Sequence, residues 1–400
     1  IDLAPSTDSG VLVHTLDNPN AYGTPGNDNF GSPIASDGNL AIVGVKEEDS
    51  AGSINSGKAY IFNITTGALV RTLNNPNAYG TSQIDYFGHS VAISGNYAIV
   101  GTYSEDDADG INSGKAYIFN VNSGFPLHTL DNPNAYSAGE PGDSWYSAND
   151  RFGSSVAISG NYAIVGAYQE DDAGGSGGSG SSSGKVYIYN VTSGALVHTL
   201  DNPNAYGTSY DDRFGKSVDM SGNNAIVSAY AEDDAGGPSS GKVYIYNVTS
   251  GALVHTLDNP NAYGTSYDDR FGKSVDMSGN NAIVSAYAED DAGGPSSGKV
   301  YIYNVTSGAL VHTLDNPNAY STSASDYFGW NVAISGNSAI VGAWGEDDAG
   351  NNNSGKAYIF NVTSGAFLST IDNPNSSGAG DNFGFSVAIS GNSAIVGALY

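Results

Sequence analysis

The 400-residue sequence has no cysteine, which excludes disulfides and thiolate metal centres. Cations are scarce: 13 Lys+Arg stand against 41 Asp+Glu, for a formal net charge of −28. A chain this short of positive charge has no basic footprint for a phosphate backbone or an anionic lipid surface, so nucleic-acid partners and membrane insertion are not expected. No apolar run reaches the roughly 18 residues of a spanning helix. No stretch places its apolar residues at helical spacing. P-loop, HExxH, nucleophile-elbow and dinucleotide fingerprints are all missing.

What is present is glycine (54 residues), aromatic side chains (27 Tyr, 13 Phe, 3 Trp) and a long repeat. Asp-x-Phe-Gly recurs seven times, at Asp28/Phe30, Asp85/Phe87, Asp150/Phe152, Asp212/Phe214, Asp269/Phe271, Asp326/Phe328 and Asp381/Phe383. The spacings are 57, 65, 62, 57, 57 and 55 residues, and units 201–257 and 258–314 are identical. A near-fixed period of this size means one supersecondary unit used repeatedly.

One unit reads as four short strands. Ser217–Ser221 alternates, Gly222-Asn223 signals a tight turn, and Ala225–Tyr230 is largely apolar. After a polar loop, Lys242–Tyr246 alternates again, Asn247–Gly251 turns, and Ala252–Leu257 is the fourth strand. Four antiparallel strands repeated seven times predict an all-β, seven-bladed propeller in a single domain, 1–400. The expected blades are about 28–73, 85–130, 150–200, 212–257, 269–314, 326–371, and 381–400 joined to 1–16. The last is split because the final repeat supplies only strands one and two, whereas Val11–Leu16 reads as a strand four and Ile1–Pro5 stands in the place of a strand three. In such a meander the 2–3 and 4–1 connections share one face of the disc, which is therefore the elaborated, acidic face.

The wording Phe-Gly, Ser-Val-Ala-Ile-Ser-Gly-Asn, Ile-Val-Gly-Ala resembles the FG-GAP repeat, found in the propellers of integrin alpha subunits and of bacterial and viral surface proteins. The resemblance covers essentially the whole chain and implies seven blades and a role in adhesion or recognition. Leu-Asp-Asn-Pro-Asn-Ala-Tyr and Ser-Gly-Lys-Ala-Tyr-Ile-Phe-Asn are also similar to repeats in structural proteins of marine cyanobacterial phages.

The 2–3 loops carry clustered acids: Glu47-Glu48-Asp49, Glu105-Asp106-Asp107, Glu170-Asp171-Asp172, Glu232-Asp233-Asp234, Glu289-Asp290-Asp291 and Glu346-Asp347-Asp348. Carboxylates beside glycine-rich backbone suit calcium, and calcium is the one cofactor these loops suggest. A solvated acidic loop is the plainer reading. The calcium loop that the family resemblance implies lies between strands one and two, where this chain has only Ser-Gly-Asn, so that site does not carry over. The Asp of each repeat signature is expected to accept hydrogen bonds from its own turn, and the Phe to pack between blades.

Tyr103, Tyr168, Tyr230, Tyr287 and Trp344 recur where strand two ends, either as packing between blades or as a sugar-stacking surface. His14, His128, His198, His255 and His312 occupy one register of strand four and are expected to face solvent. Five Asn-x-Thr sequons, at Asn63, Asn190, Asn247, Asn304 and Asn361, read as turn chemistry. The repeat is most irregular in its third unit, with an extended entry loop holding Trp145 and Tyr146 and a Gly/Ser run over 174–184.

Together these features predict a structural or adhesion module rather than an enzyme. It would recognise a protein or glycan on a cell surface or in a larger assembly, and be displayed on a virion, as in a phage fibre, or on a cell, outside the cytoplasm. Trp145, Tyr146, Tyr168 and Trp344 are the expected contact residues. A secreted lectin or carbohydrate-active enzyme is the rival. An enzyme needs a private acid pair, and duplication of a whole unit argues against one.

Overall fold

The computed structural model describes every residue except 1–9, 21–27, 50–54, 78–83, 107–111, 135–149, 171–181, 205–210, 234–238, 262–267, 291–295, 319–324, 348–352, 376–379 and 400. The described chain forms six four-stranded antiparallel sheets and a seventh of two strands, each a simple meander. The fourth sheet is representative: Phe214–Ser221, Asn224–Ala229, Lys242–Asn247 and Leu253–Asp258. Val218 pairs with Val227, Val227 with Tyr244, and Tyr244 with Thr256.

The first strands are Ile34–Asp37, Ser90–Ser94, Phe152–Ser159, Phe214–Ser221, Val275–Ser278, Val332–Ser335 and Ser386–Ser390. Each touches the next, and Ser386–Ser390 touches Ile34–Asp37, so seven sheets stand around one axis as propeller blades. Second and third strands are sandwiched between neighbouring sheets and are buried almost throughout. That burial explains the continuous apolar Ala-Ile-Val runs, because a strand covered on both faces has no polar side to alternate with. Fourth strands form the exposed rim.

The signature Phe is the wedge between sheets. Phe214 is fully buried against Tyr244 and Tyr246 of its own sheet and shares a core with Val186, Ile188 and Leu200 of the preceding one. Phe87 sits likewise against Tyr117 and Phe119, in a core with Ile42, Ile61 and Leu73 of the first sheet. Phe328 packs on Tyr358 and Phe360 and meets Ile283, Val300 and Leu314 of the fifth sheet. Phe152 and Phe271 repeat the arrangement.

Phe87, Phe152, Phe214, Phe271 and Phe328 have no exposed surface and Phe383 is buried too, so none of them can touch a partner. Phe30 alone is only partly covered, beside the incomplete seventh sheet. Phe87 and Phe328 further differ from Phe152 and Phe214 in lying ahead of their first strands, which start at Ser90 and Val332.

On the rim, His198 Nε2 bonds the Thr249 carbonyl of the next sheet at 3.0 Å, and its ring abuts Gly251. His128, His255 and His312 repeat this with Thr192, Thr306 and Thr363. These histidines are interblade ties and only half-buried, a role that reading one repeat at a time did not supply, because the partner lies one unit ahead.

His14 makes the same contact with Thr65 at 2.9 Å and abuts Gly67. This contact ties residues 11–16 to the rim of the first sheet. Between them and Ser393–Gly397 lies a cavity of about 630 Å³, lined by Leu16, Phe30, Val43, Phe383, Ile395 and Val396 among others.

Candidate functional site

The acidic loops come first, because the structure gives their residues work. Glu48, Glu105, Glu170, Glu232, Glu289 and Glu346 are all buried. In the fourth sheet the Tyr244 hydroxyl donates to Glu232 Oε2 at 2.8 Å, Asn204 Nδ2 donates to Oε1 at 2.6 Å, and the Gly241 amide donates to the Glu232 carbonyl at 3.0 Å. Tyr60, Tyr117, Tyr187, Tyr301 and Tyr358 meet their glutamates in the same way. Burial and the neighbouring carboxylate push these tyrosines above their usual range.

The second acid closes the loop: Asp49, Asp106, Asp233, Asp290 and Asp347 accept the amides of Asn55, Asn112, Ser239, Ser296 and Asn353. Asp107, Asp171, Asp172, Asp234, Asp291 and Asp348 lie outside the described residues. Among the described residues no three acidic or histidine side chains converge as a cation cage. Most of the described carboxylate oxygens already serve Tyr, Asn and backbone groups, while Glu105 Oε2 and Asp212 Oδ1 are buried without a hydrogen-bond partner.

The signature aspartates join the same network. Asp28, Asp85, Asp150, Asp212, Asp269, Asp326 and Asp381 accept the side-chain amides of Asn18, Asn75, Asn132, Asn202, Asn259, Asn316 and Asn373. These are the first Asn of each Asn-Pro-Asn connection. Its Oδ1 accepts the amide of the second Asn, as Asn204 to Asn202 at 3.0 Å, and that second Asn reaches the buried Glu. Each 4–1 connection is thus pinned at both ends. Burial first, then neighbouring acids, raises Asp85 and Asp212 to about 7. Burial also raises Glu289 and Glu346 to about 7.

A second constellation lies at the axial end of the elaborated face. Three positions per blade build it: the residue inside each signature, the one after its glycine, and the one just after strand two. None of them carries a carboxylate. Arg151, Arg213, Lys216, Arg270 and Lys273 come from the third to fifth sheets, Lys46 from the first and His89 from the second. The Lys216 ammonium sits 4.0 Å from the Tyr168 ring centroid and that of Lys273 4.5 Å from Trp330. Arg151 lies over Tyr103 and donates to the Tyr168 hydroxyl at 2.7 Å. Arg213 and Arg270 are braced by Asp211 and Asp268, at 2.6 and 2.7 Å.

On the far side Tyr327 stacks on Trp344 at 5.0 Å, Trp330 meets Trp344 edge-on at 5.6 Å, and Phe385 lies 5.5 Å from Trp330. Burial, then the surrounding cations, lowers Lys216 to about 7. Lys273 falls to about 8 for the same reasons, and His89 well below its usual value. Lys46 of the first sheet adds a like charge to the surroundings of both Lys216 and His89.

The backbone here is unusual. Tyr86, Arg151, Arg213, Arg270 and Tyr327 have φ of 57, 57, 59, 58 and 54°. A bulky residue in this left-handed region costs about 1 kcal/mol, and Asn29 and Asn382 show that a cheaper residue fits the same place. Tyr168 and Trp344 belong to this cluster, together with Tyr103, Tyr230 and Tyr287. Trp145, Tyr146 and most of 174–184 fall outside the described residues. The axial cations were not singled out from sequence. Their signal was variation, Asn to Tyr to Arg and Ser to His to Lys to Trp, inside an otherwise constant phrase.

One argument from sequence needs correction. Duplication does build a private acid pair: Asp219 and Asp276, the same position in the two identical units, become neighbours in the ring and hydrogen-bond each other. Burial raises both. The other five first strands have alanine at this position, as Ala35, Ala92, Ala157, Ala333 and Ala388. Asp219 accepts the Met277 amide at 2.7 Å and Asp276 the Ile334 amide at 2.6 Å, each from the next first strand.

Fold and site together define a β-propeller with its blades locked by buried Asn–Glu–Tyr networks and an axial end of cations and aromatic rings. The FG-GAP repeat model matches residues 21–62, 78–119, 144–189, 205–246, 262–303, 319–360 and 374–400, and the chain belongs to the FG-GAP repeat family. This scaffold is typical of adhesion and recognition modules. No curated protein matches the chain in sequence. Among solved structures it is similar in fold to the computationally designed Ika8 protein, at 13% identity and a TM-score of 0.50 over 94% of this chain and 95% of that one. No helix of the described residues is long and apolar enough to cross a membrane.

Proposed function

We propose that this protein is a non-enzymatic recognition module, carried on a virion or cell surface, that meets its partner with the axial end of the elaborated face. One observation carries the reading: six of the 13 Lys+Arg gather there among partly exposed aromatic rings, on a strained backbone that a purely structural turn does not require. The Asp219–Asp276 pair supports the non-enzymatic side, because both carboxylates are bound to backbone amides of the neighbouring strands. Calcium is no part of this reading. Binding of the protein to cells or to a glycan array, compared with a Trp330→Ser/Trp344→Ser variant that keeps its fold, tests it. The variant is expected to lose binding. Turnover of a bound glycan, or full binding by the variant, would sink the proposal.

The ring is proposed to be seven-bladed, with residues 1–16 completing the last blade. The rim contact of His14 and the strand-sized cavity beside Ser393–Gly397 support this. Deleting 1–16 exposes a sheet edge and the cores beneath it, and is expected to lower the Tm by on the order of 10 °C in a thermal melt. An unchanged melt overturns the assignment.

A further inference from the structure

We propose that the axial cluster binds an acidic saccharide, a sugar ring carrying a carboxylate. Lys216, Lys273 and Arg151 would hold the charge, and Trp330 and Trp344 the ring. The proposal rests on the recognition reading above and names the ligand of that site.

Three observations carry it. The first is charge. Six of the 13 Lys+Arg, namely Lys46, Arg151, Arg213, Lys216, Arg270 and Lys273, stand at this one end of a protein of net charge −28. Arg213, Arg270 and, more loosely, Lys46 have carboxylate neighbours. Among the described residues Lys216 and Lys273 meet aromatic rings and no carboxylate. Like charges held together without a counter-charge gain most when an anion arrives.

The second is unmet hydrogen-bonding capacity. His89 Nδ1, Arg151 Nε and Trp344 Nε1 are buried and without a partner, and all three belong to this cluster. Arginine Nε and indole nitrogen only donate, so the site lacks acceptor oxygens. The third is its two-sided composition. Cations come from the third to fifth sheets, and Trp330, Trp344 and Phe385 from the sixth and seventh. An inorganic anion uses only the first side. A sugar has an apolar face for the rings, hydroxyls for the donors and, when acidic, a carboxylate for the lysines. The large negative charge of the whole molecule repels long polyanions, so a single acidic residue at a glycan terminus suits the site better than a polyanionic chain.

Glucuronate, glucose, inorganic sulfate and N-acetylglutamate are the probes. They are titrated into the whole protein, with calorimetry and the fluorescence of Trp330 and Trp344 as readouts. Glucuronate is expected to bind and to perturb the tryptophan emission, and glucose to bind at least about a hundredfold more weakly. Lys216→Gln and Lys273→Gln should each weaken glucuronate by roughly tenfold. Neither is expected to unfold the ring, since each removes repulsion.

The groups facing the two lysines are Lys46, His89, Arg151, Arg213, Arg270, Tyr168, Tyr230 and Trp330. Burial and the neighbouring cations lower Lys216 to about 7 and Lys273 to about 8, so affinity should fall as pH rises through that interval. Sulfate binding as tightly as glucuronate would mean an anion site only, and would overturn the saccharide. Tighter binding of N-acetylglutamate would assign the site to acidic peptides. Absence of binding by every anion overturns the proposal, while loss of cell or array binding in the Trp330→Ser/Trp344→Ser variant would still uphold the recognition reading.

Discussion

Replacing Gly241 with alanine is expected to cost about 3–5 kcal/mol, although the change adds one methyl group. Gly241 has φ of +84°, and a Cβ there would lie 2.1 Å from the carbonyl oxygen of Phe271 in the next sheet. The obstacle is backbone, so no rotamer relieves it. The Phe271 signature would have to withdraw, opening the contact between the fourth and fifth sheets. Gly222→Ala is the matched control: φ is +59° with nothing within 4 Å of the Cβ, so only the left-handed cost of about 1 kcal/mol applies. Urea midpoints of the two variants decide the matter. Equal shifts would mean that the interblade approach is not rigid.

Stability is expected to increase on acidification from pH 7.5 to pH 5, the opposite of ordinary acid denaturation. Asp85, Asp212, Glu289 and Glu346 have folded values of about 7, above those of unfolded Asp and Glu near 4. An acid raised by folding binds its proton more tightly in the native state. Its contribution is fully present below the unfolded value and is lost as pH rises through the folded one. Asp28, Glu105, Asp219 and Asp276 shift in the same direction. Lys216 and Lys273, both lowered, act oppositely but mainly above about pH 7, and His89, also lowered, opposes the effect within the interval as one group against the several raised acids. A Tm higher at pH 5 than at pH 7.5 by on the order of 5 °C is the expected result, reduced in Asp212→Asn. A Tm that rises with pH across this interval would show that the acid networks are ionised at no cost.

Much of the architecture was legible in the repeat. Strands read at Ala225–Tyr230, Lys242–Tyr246 and Ala252–Leu257 are observed at Asn224–Ala229, Lys242–Asn247 and Leu253–Asp258. The first strand, read at Ser217–Ser221, is longer in the fourth sheet and shorter, at Val275–Ser278, in the identical fifth unit. In the fourth sheet it begins at Phe214, which pairs with Ala229 across a register shift that no alternation pattern reveals. The packing of the signature Phe between blades was legible too, and Phe87 and Phe328 show it as fully as Phe214. The acidic loops were misleading in a different way. Glu232 looks like a surface residue in Ala-Glu-Asp-Asp, yet it is buried, because the Asn204 that meets it lies 28 residues earlier and Tyr244 lies 12 residues later.

Sequence alone determined the number of repeats, the four strands in each complete unit and the face on which the long connections lie. Those follow from two-residue alternation and turn chemistry, which act between near neighbours in the chain. Tertiary structure decided which residues face the axis and which acids are buried. Lys46 and Lys216 share one site only because the ring brings the first and fourth sheets to face each other. Asp219 meets Asp276 only because consecutive units stand side by side. Position around a closed ring is a property of the whole set of blades, and no single repeat encodes it.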